Sequence, residues 1–375
     1  MSEKIPKGWK WVKLGEVVTL QRGYDLPKSK MKKGNIPVVG SNGIIGYHNK
    51  ATTKAPGITI GRSGNIGNAY LHKSDFWAHN TTLYVKDFKG NDVIFLFYLF
   101  KNIDFNQLNA GSAVPTLNRN HIYPIEVKIP IRIEDQKAIA EVLSSIDDKI
   151  DLLHRQNKTL EEMAMTLFRK CFIEPTKDEL PEGWEEVSLG DSDLSKIILS
   201  GIKKFEGFKT YLATGDVEGT LIKGGVEITY NNRPSRANMQ PEKYSVWFAK
   251  KEGVRKLLMF DDYSNIDKYI LSTGFTGLKT TELSHYYVWC FILSEDFQDI
   301  KDSLVSGSVQ PDIPNEAVLQ IFIPRPPDEV LLSFNEKVKP LFTKIQFNTS
   351  QIQTLEKLRD TLLPKLMNGE VRVKF

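Results

Sequence analysis

Two long stretches of the chain carry apolar residues at helical spacing. From Ile139 to Cys171, apolar positions step by four and three residues, and the same steps recur from Phe334 to Leu366. A heptad pattern of this kind is typical of long helices that pack on each other. We expect the first helix from about Glu134 to Lys170, which at about 1.5 Å per residue is roughly 55 Å long.

Two prolines fall inside the second apolar stretch. Pro340 lies near its start and Pro364 near its end. Proline lacks the backbone donor that a helix interior requires, and its ring clashes with the preceding turn. We therefore expect the second helix to be kinked there, or to lose its ends as separate segments.

A single asparagine interrupts each apolar seam near its middle. These residues are Asn157 and Asn348. If the helices run antiparallel, the two amides face each other, and a buried Asn pair fixes helix register at some cost in stability. In the alternative arrangement, each asparagine lies at a solvated edge. The pair is our candidate for setting helix register.

The chain also contains a long internal repeat. The opening stretch PKGWKWVKLG, from Pro6, returns as PEGWEEVSLG, from Pro181. Two further stretches return: GSAVPTL from Gly111 as GSVQPDI from Gly307, and IEVKIP ending at Pro130 as LQIFIP ending at Pro324. Between these motifs the two halves look unrelated. A repeat of this length indicates duplication of a whole domain, so the chain is a shared frame with two different inserts.

These patterns predict an α+β protein with two globular α/β domains. Two long antiparallel coiled-coil helices separate the domains, and the repeat gives the whole a pseudo-two-fold relation. The predicted boundaries are 1–131 for the first domain, 132–173 for a central helix, 174–326 for the second domain and 327–375 for a C-terminal helix. A stiff connection between two related domains suits a target with two separated recognition points.

Composition favours a soluble cytoplasmic protein. Hydrophobic residues make up 41% of the chain, enough to bury real cores. The start is polar, and the most apolar run, Val93 to Phe100, is too short for a membrane span of about 20 residues, so we expect it to be a buried core segment. The two cysteines, Cys171 and Cys290, lie far apart, which fits a reducing compartment and gives no disulfide or zinc framework.

The charge is distributed unevenly between the two halves. Residues 1–131 contain 18 Lys and Arg against 8 Asp and Glu, a net charge of +10, and residues 173–327 contain 17 against 24, a net charge of −7. The first domain could attract a polyanion as a whole. The second could do so only through a local basic face.

The first insert carries residue types suited to DNA. Four lysines in one Pro/Gly-bounded loop are candidates for phosphate contacts, with a solvated charge run as the alternative: Lys28, Lys30, Lys32 and Lys33. The stretch GITIGRSGNIGNAY predicts a strand, a polar Gly-rich turn and a second strand, without the helix that a dinucleotide fingerprint needs. Donors and acceptors in and near this turn are candidates for contacts to base edges: Arg62, Ser63, Asn65, Asn68, His79 and Asn80.

The second insert contains two comparable groups. The turn-rich stretch NNRPSRANMQ holds the candidates for base contacts, because Arg suits guanine edges and Asn or Gln suits adenine edges: Arg233, Arg236, Asn238 and Gln240. The stretch AKKEGVRKLL would supply the local basic face for phosphates, unless it is scattered surface charge: Lys250, Lys251, Arg255 and Lys256.

Motifs of catalysis are not apparent. The sequence has no GxxxxGK[ST] phosphate loop, no HExxH and no GxSxG. It has no Asn-Pro-Pro-aromatic tetrapeptide of the kind that amino-methyltransferases use, and its six histidines lack metal-site spacing. The sequence therefore favours a binding protein without a catalytic site or metal.

Taken together, the framing motifs resemble a known family. The duplicated Pro-x-Gly-Trp openings, the variable inserts and the paired helices ending in LFRKCF and LLPKLMNGEV are similar to specificity (S) subunits of type I restriction–modification systems. The stretch IEDQKAIAEVLSSIDDKI, from Ile133, resembles the start of the first spacer helix of that family. The second copy departs from it, with Val330 where the first has Gln136.

The resemblance implies a function and a set of partners. Each insert would be a target recognition domain for one half of a bipartite double-stranded DNA sequence, and the helices would set the unread gap and dock two methyltransferase (M) subunits. Restriction (R) subunits would join through them. S-adenosylmethionine, ATP and magnesium would belong to these partner subunits and not to this chain.

Two alternatives remain at this point. One is a protein-binding scaffold with two domains and no DNA role, which would show no affinity for duplex DNA even beside a methyltransferase. The other is a metal-dependent nuclease hidden in one insert, which would cleave DNA as the isolated chain.

Overall fold

The structure, a computed structural model, describes residues 5–108, 116–305 and 312–373. These residues divide into two compact units, which we call domain 1 (up to Leu153, and again from Ser350) and domain 2 (His154–Thr349). Each long helix therefore contributes one half to each domain. Within the described residues, no helix is long and apolar enough to cross a membrane.

Among its described residues, domain 1 contains nine strands, which form two small sheets and a terminal strand pair. Its strands are β1 (Trp9–Lys13), β2 (Thr19–Arg22), β3 (Ile36–Gly40), β4 (Gly43–His48), β5 (Gly57–Gly61), β6 (Ala69–His72), β7 (Trp77–Ala78), β8 (Thr82–Asp87) and β9 (Glu126–Pro130). Its helices are α1 (Leu14–Val17), α2 (Val93–Lys101), α3 (Arg119–Ile122) and the first part of α4 (Ile133–Phe168). One antiparallel sheet has the order β2-β8-β5-β6, and the other has the order β4-β3-β7, in which β3 and β7 run parallel.

Domain 2 repeats this topology. Its strands are β10 (Glu185–Ser188), β11 (Ser195–Ile198), β12 (Lys209–Leu212), β13 (Val217–Glu218), β14 (Leu221–Ile222), β15 (Val226–Ile228), β16 (Ala237–Met239), β17 (Ser245–Ala249), β18 (Leu257–Phe260), β19 (Tyr269–Ser272), β20 (Phe275–Thr280) and β21 (Phe322–Arg325). Its helices are α5 (His285–Leu293), α6 (Glu295–Ser303), α7 (Asn315–Val318) and the first part of α8 (Asp328–Met367). The sheet β11-β20-β17-β18 matches β2-β8-β5-β6, and the parallel pair β12–β19 matches β3–β7.

The repeated motifs form equivalent strand pairs. In domain 1 the opening strand β1 pairs antiparallel with β9, and in domain 2 β10 pairs antiparallel with β21. The α+β prediction and the internal repeat are thus confirmed at the level of strand pairing. The GSAVPTL and GSVQPDI recurrence lies mostly outside the described residues, which include only its last two positions in each copy.

Each domain encloses its own core around a short apolar helix. The run Val93 to Phe100 forms most of α2, where Phe95–Phe100 are buried, as predicted. Asp92 caps α2 by accepting a hydrogen bond from the Phe95 amide at 2.8 Å. In domain 2, α5 is buried along its whole length. Both helices are apolar all round, as expected of helices enclosed by a sheet and a long helix.

The two long helices pack antiparallel within each domain. In domain 1, Arg359 Nη1 lies 3.0 Å from Asp147 Oδ1, and Ile352 packs in a cluster with Ile146, Ile150 and Leu153. In domain 2, the ring of Phe334, early in α8, lies 6.3 Å from that of Phe168, at the end of α4.

Two expectations about these helices need correction. Phe168 and Phe172, not Leu167 and Cys171, are buried at the end of the first seam. A straight helix drifts against a strict heptad repeat, and a π-helical turn, Arg169–Ile173, follows Phe168. The second helix is unbroken from Asp328 to Met367, so its ends are not split off at Pro340 or Pro364, while a kink at these prolines remains a prediction.

The prolines are therefore tolerated inside α8. Buried Val338 and Phe342 flank Pro340, and Leu366 and Met367 are buried just beyond Pro364. Packing of the apolar face supplies most of the stability of such a helix, so it compensates for the hydrogen bonds that the prolines remove.

Candidate nucleic-acid interface

Three loops of domain 1 converge beyond the ends of the parallel strands β3 and β7. The amide of Arg62, after β5, donates to Thr81 O at 2.8 Å. The amide of Ser41, after β3, donates to Thr81 Oγ1 at 3.2 Å. The amide of His79, after β7, donates to Val39 O at 2.9 Å. Residues far apart in sequence thus form one surface, which we call the domain 1 loop cluster.

The Gly-rich turn is tightly folded. A Cβ on Gly61 would lie 1.9 Å from Asn65 O, so no larger residue fits there, and Gly64 has a φ of +80°. The turn exposes Asn65 and Asn68, whose side chains bond to each other: Asn68 Nδ2 donates to Asn65 Oδ1 at 2.7 Å. The predicted strand, turn and strand are present as β5 and β6.

Arg62 is the half-buried cation of the loop cluster. Its Nη1 donates to Asn80 O at 3.4 Å, which directs the guanidinium across the His79–Thr81 loop. Burial lowers the pKa of Arg62, and the nearby charge of Arg22 lowers it further. Even so, an arginine stays protonated, so the site holds two like charges close together. Such an arrangement favours an anion or an acceptor-rich group as its ligand.

The polar side chains beside Arg62 are fixed by short hydrogen bonds. Asn80 Nδ2 donates to Asp25 Oδ1 at 2.6 Å, and His79 Nδ1 lies 3.2 Å from Thr81 Oγ1. Burial lowers the pKa of His79, although the Asp25 charge opposes this shift, so neutral imidazole is favoured near neutral pH. The cluster therefore presents both donors and acceptors.

The candidates from the first insert are brought together here. Arg62, Ser63, His79 and Asn80 lie in or beside the loop cluster, and Asn65 and Asn68 lie at the tip of its Gly-rich turn. Sequence reasoning missed Arg22 and Asp25, which reach the cluster at the end of β2. The available signal was the polar QRGYD stretch, which begins inside β2 and continues past its end.

The four lysines of the first insert are exposed on the connection from β2 to β3. Lys28 and Lys30 lie in a 3₁₀ turn, and the amide of Lys32 donates to His48 Nδ1 at 2.9 Å. Lys33 follows in the same exposed segment. Their contact with phosphates remains a prediction.

Domain 2 places a lysine at the position equivalent to Arg62. The amide of Lys250 donates to Gly274 O at 2.9 Å, as that of Arg62 does to Thr81 O. The carbonyls match too, because Arg62 O accepts from the Leu117 amide and Lys250 O accepts from the Ile313 amide. The backbone amide and the backbone carbonyl of Arg62 thus each make the same kind of hydrogen bond as those of Lys250, and this defines the equivalence.

The stretch 250–256 is not the single exposed basic face that the sequence suggested. Lys250 Nζ donates to Asn315 Oδ1 at 3.3 Å, Lys256 Nζ donates to Thr214 O at 2.6 Å, and an Arg255 nitrogen donates to Leu293 O. Lys251 is exposed. Three of these four cations hold their own domain together, because each donates a hydrogen bond to an oxygen of domain 2. Their contact with DNA remains a prediction.

The arginines of the second insert differ from each other. The Arg233 guanidinium lies 4.1 Å from the centre of the Tyr230 ring and donates to Tyr230 O. Arg236 is exposed, and one of its nitrogens would lie 3.8 Å from a Cβ on Gly274. Arg236 therefore lies beside the loop that matches His79–Thr81 of domain 1.

Two further candidates lie near Arg236 along the chain. Asn238 is half-buried, and its backbone carbonyl accepts from the Gly201 amide at 2.8 Å. Gln240 Nε2 donates to Pro241 O at 3.4 Å. The structure leaves the Asn238 side chain on the β16 edge of the sheet β15-β12-β19-β16.

The amides of the two register candidates are in contact within domain 2. Asn348 is buried and its Nδ2 donates to Asn157 Oδ1 at 2.9 Å, while Asn157 Nδ2 donates to Thr349 Oγ1 at 3.3 Å. The facing arrangement is therefore present. A role of this pair in setting register remains a prediction.

Comparison with known proteins supports the same interpretation. The family model described as "Type I restriction modification DNA specificity domain" matches residues 6–162. Two specificity subunits of Methanocaldococcus jannaschii, those of type I restriction enzymes MjaIX and MjaVIII, are 26% and 22% identical to the chain, each over 99% of it and 95% of the relative.

A solved structure agrees at the level of fold. The crystal structure of a type I restriction–modification S subunit from M. genitalium has a TM-score of 0.65 with this chain, at 18% identity, and covers 98% of both chains. The resemblance to type I specificity subunits drawn from the sequence is thus confirmed. The specificity-domain match contains the whole domain 1 loop cluster.

Proposed function

We propose that this chain recognises a bipartite double-stranded DNA target as the specificity subunit of a type I restriction–modification complex, with one half-site per domain. The observation that carries the proposal is the equivalence of Arg62 and Lys250. The two domains share strand order and backbone contacts but differ in the side chains at the loops. One scaffold with two different loop surfaces suits a target with two different half-sites.

The chemistry of each surface supports a division of roles. The exposed lysines of the first domain suit phosphates, whose neutralisation releases counterions and makes binding salt-dependent. The mixed donors and acceptors of the loop cluster suit base edges, where the sequence of DNA is distinguished. Coupling two weak contacts in one chain raises the effective concentration for the second contact.

The proposed partners rest on the resemblance to type I specificity subunits. In this proposal the long helices dock two methyltransferase subunits and set the unread gap, and restriction subunits join through that core. S-adenosylmethionine, ATP and magnesium are bound by those partner subunits, and this chain binds DNA without catalysing a reaction. Among the described residues, no group of three or more His, Cys, Asp or Glu could hold a metal ion.

The test is methylome sequencing of a cell that expresses this chain with its methyltransferase partner. We expect one methylated motif with two specified halves and an unspecified gap, absent when the chain is omitted. Methylation without the chain, or a motif with a single half, would contradict the proposal. Failure of the complex to bind any duplex would instead favour a protein-binding scaffold.

A further inference from the structure

Asp25 is a carboxylate in the middle of a surface that otherwise suits DNA. It is exposed, follows β2, and accepts from Asn80 Nδ2 at 2.6 Å. Within the described part of the chain, no lysine or arginine nitrogen lies within 4.0 Å of it. Asn80 joins it to Arg62, because Asn80 O accepts from Arg62 Nη1.

A carboxylate at such a place opposes DNA binding unless the DNA offers it a donor. The phosphates repel it, and its desolvation costs free energy when it stays unpaired. In the major groove, only the amino groups of cytosine N4 and adenine N6 are hydrogen-bond donors. A carboxylate oxygen is an acceptor for such a group.

The neighbouring arginines select between these two bases. Arg62 and Arg22 are donors, and guanine presents two acceptors, O6 and N7, to the groove. Guanine pairs with cytosine, so its O6 lies next to the N4 amino group of its partner. Arg62, a donor, and Asp25, an acceptor, both bond to Asn80, so together they match the guanine acceptors and the cytosine amino group of one G·C pair.

We propose that Asp25 determines specificity in domain 1 by accepting a hydrogen bond from cytosine N4 of a G·C pair whose guanine is bound by Arg62. Arg22 supplies a second donor to the same guanine or to the adjoining phosphate. This inference rests on the proposed function, and it names the residue that excludes other base pairs at one position.

The experiment uses the complex of this chain with its methyltransferase partner and duplexes that carry its methylated motif. Asp25→Asn and the control Asp87→Asn each remove one negative charge from an exposed position of domain 1. We expect Asp25→Asn to lower the affinity for the cognate duplex about 10-fold and to leave binding of an unrelated duplex unchanged or tighter. Asp87→Asn should change neither.

A second arm uses modified DNA and the unaltered protein. Each cytosine of the motif is replaced in turn by 2-pyrimidinone, which lacks the N4 amino group. We expect one replacement to weaken wild-type binding about 10-fold and to have no further effect on Asp25→Asn. The wild-type half of this arm can overturn the inference even if the variant folds poorly, because the inference is wrong if no cytosine replacement weakens binding.

The outcomes separate this inference from the proposed function. Equal changes on cognate and unrelated duplexes would reduce Asp25 to a charge effect and overturn the inference. If no cytosine replacement weakens wild-type binding, or if the replacement weakens Asp25→Asn as much as wild type, the inference is overturned as well. A wild-type complex that does not distinguish the two duplexes would instead remove the proposed function itself.

Discussion

The loops around Arg62 in domain 1 and around Lys250 in domain 2 share their backbone contacts but differ in the chemistry of their side chains. In domain 1, Arg62 lies beside Arg22 and directs its guanidinium at Asn80 O. In domain 2, the equivalent Lys250 bonds to Asn315, and its pKa is lowered by burial although Asp312 and Glu316 oppose that shift. The shared backbone therefore sets the position of each residue, whereas the neighbouring side chains decide whether its charged group is available to a ligand.

The largest expected difference concerns the exposed lysines. Changing Lys28, Lys30, Lys32 and Lys33 together to Ala should weaken binding to every duplex by about 100-fold at low salt and should flatten its salt dependence. Changing Lys250 and Lys256 to Ala should flatten the salt dependence less, because their amines already bond to Asn315 and Thr214. Binding titrations over a range of salt concentrations measure both.

An equal loss of salt slope in the two variants would show that the distinction between the domains is false. Thermal unfolding serves as the control. The domain 2 variant should lose stability, since it removes two hydrogen bonds from half-buried groups, whereas the domain 1 variant should not.

A smaller difference is expected at the arginines. Arg62→Ala should relax one half-site and Arg236→Ala the other, each with a loss of about 10-fold in affinity for the full target. Methylome sequencing of cells that carry each variant reads both half-sites at once. If either variant alters both halves, or if Arg62→Ala alters neither, the assignment of one half-site to one loop cluster is wrong.

The smallest expected effect is at Arg233. Its guanidinium packs on Tyr230, and it donates to the carbonyl of the same residue. Arg233→Lys keeps the charge but loses the flat stacking surface, so we expect an unchanged motif and an affinity within about threefold of wild type. A relaxed half-site in this variant would place Arg233 beside Arg236 as a base-contacting residue.

The sequence predicted the local parts of the molecule well. The heptad seams, the apolar α2 and the Gly-rich turn depend on spacing within short stretches, and all three are present. Even the contact of Asn157 with Asn348 could be anticipated, because each seam contains one asparagine near its middle and antiparallel helices bring the two together. The tolerance of Pro340 could not, since it depends on the packing of Val338 and Phe342.

The candidate site was predicted less completely because it is assembled by distant pairings. Arg22 and Asp25 reach Arg62 only because β2 and β5 both pair with β8. The Lys250 amine is half-buried because it donates to Asn315, 65 residues further along the chain. Neither relation leaves a periodic trace in the sequence, so residue types alone could not separate contacts to a ligand from contacts within the domain.

Gln136 ties the start of α4 to the rest of domain 1. Its Nε2 donates to Pro130 O at 3.1 Å and to Asn91 Oδ1 at 3.0 Å, and its Oε1 accepts from the Asp92 amide at 3.0 Å. In domain 2, a different residue, Asn335, ties α8 to the turn before α5 by donating to Leu283 O at 2.7 Å. The hydrogen bonds of both junctions lie outside the segment between β2 and β8, so grafting a new segment there would leave both helix attachments in place, provided that the graft keeps the core residues Ile58 and Ile60 of β5.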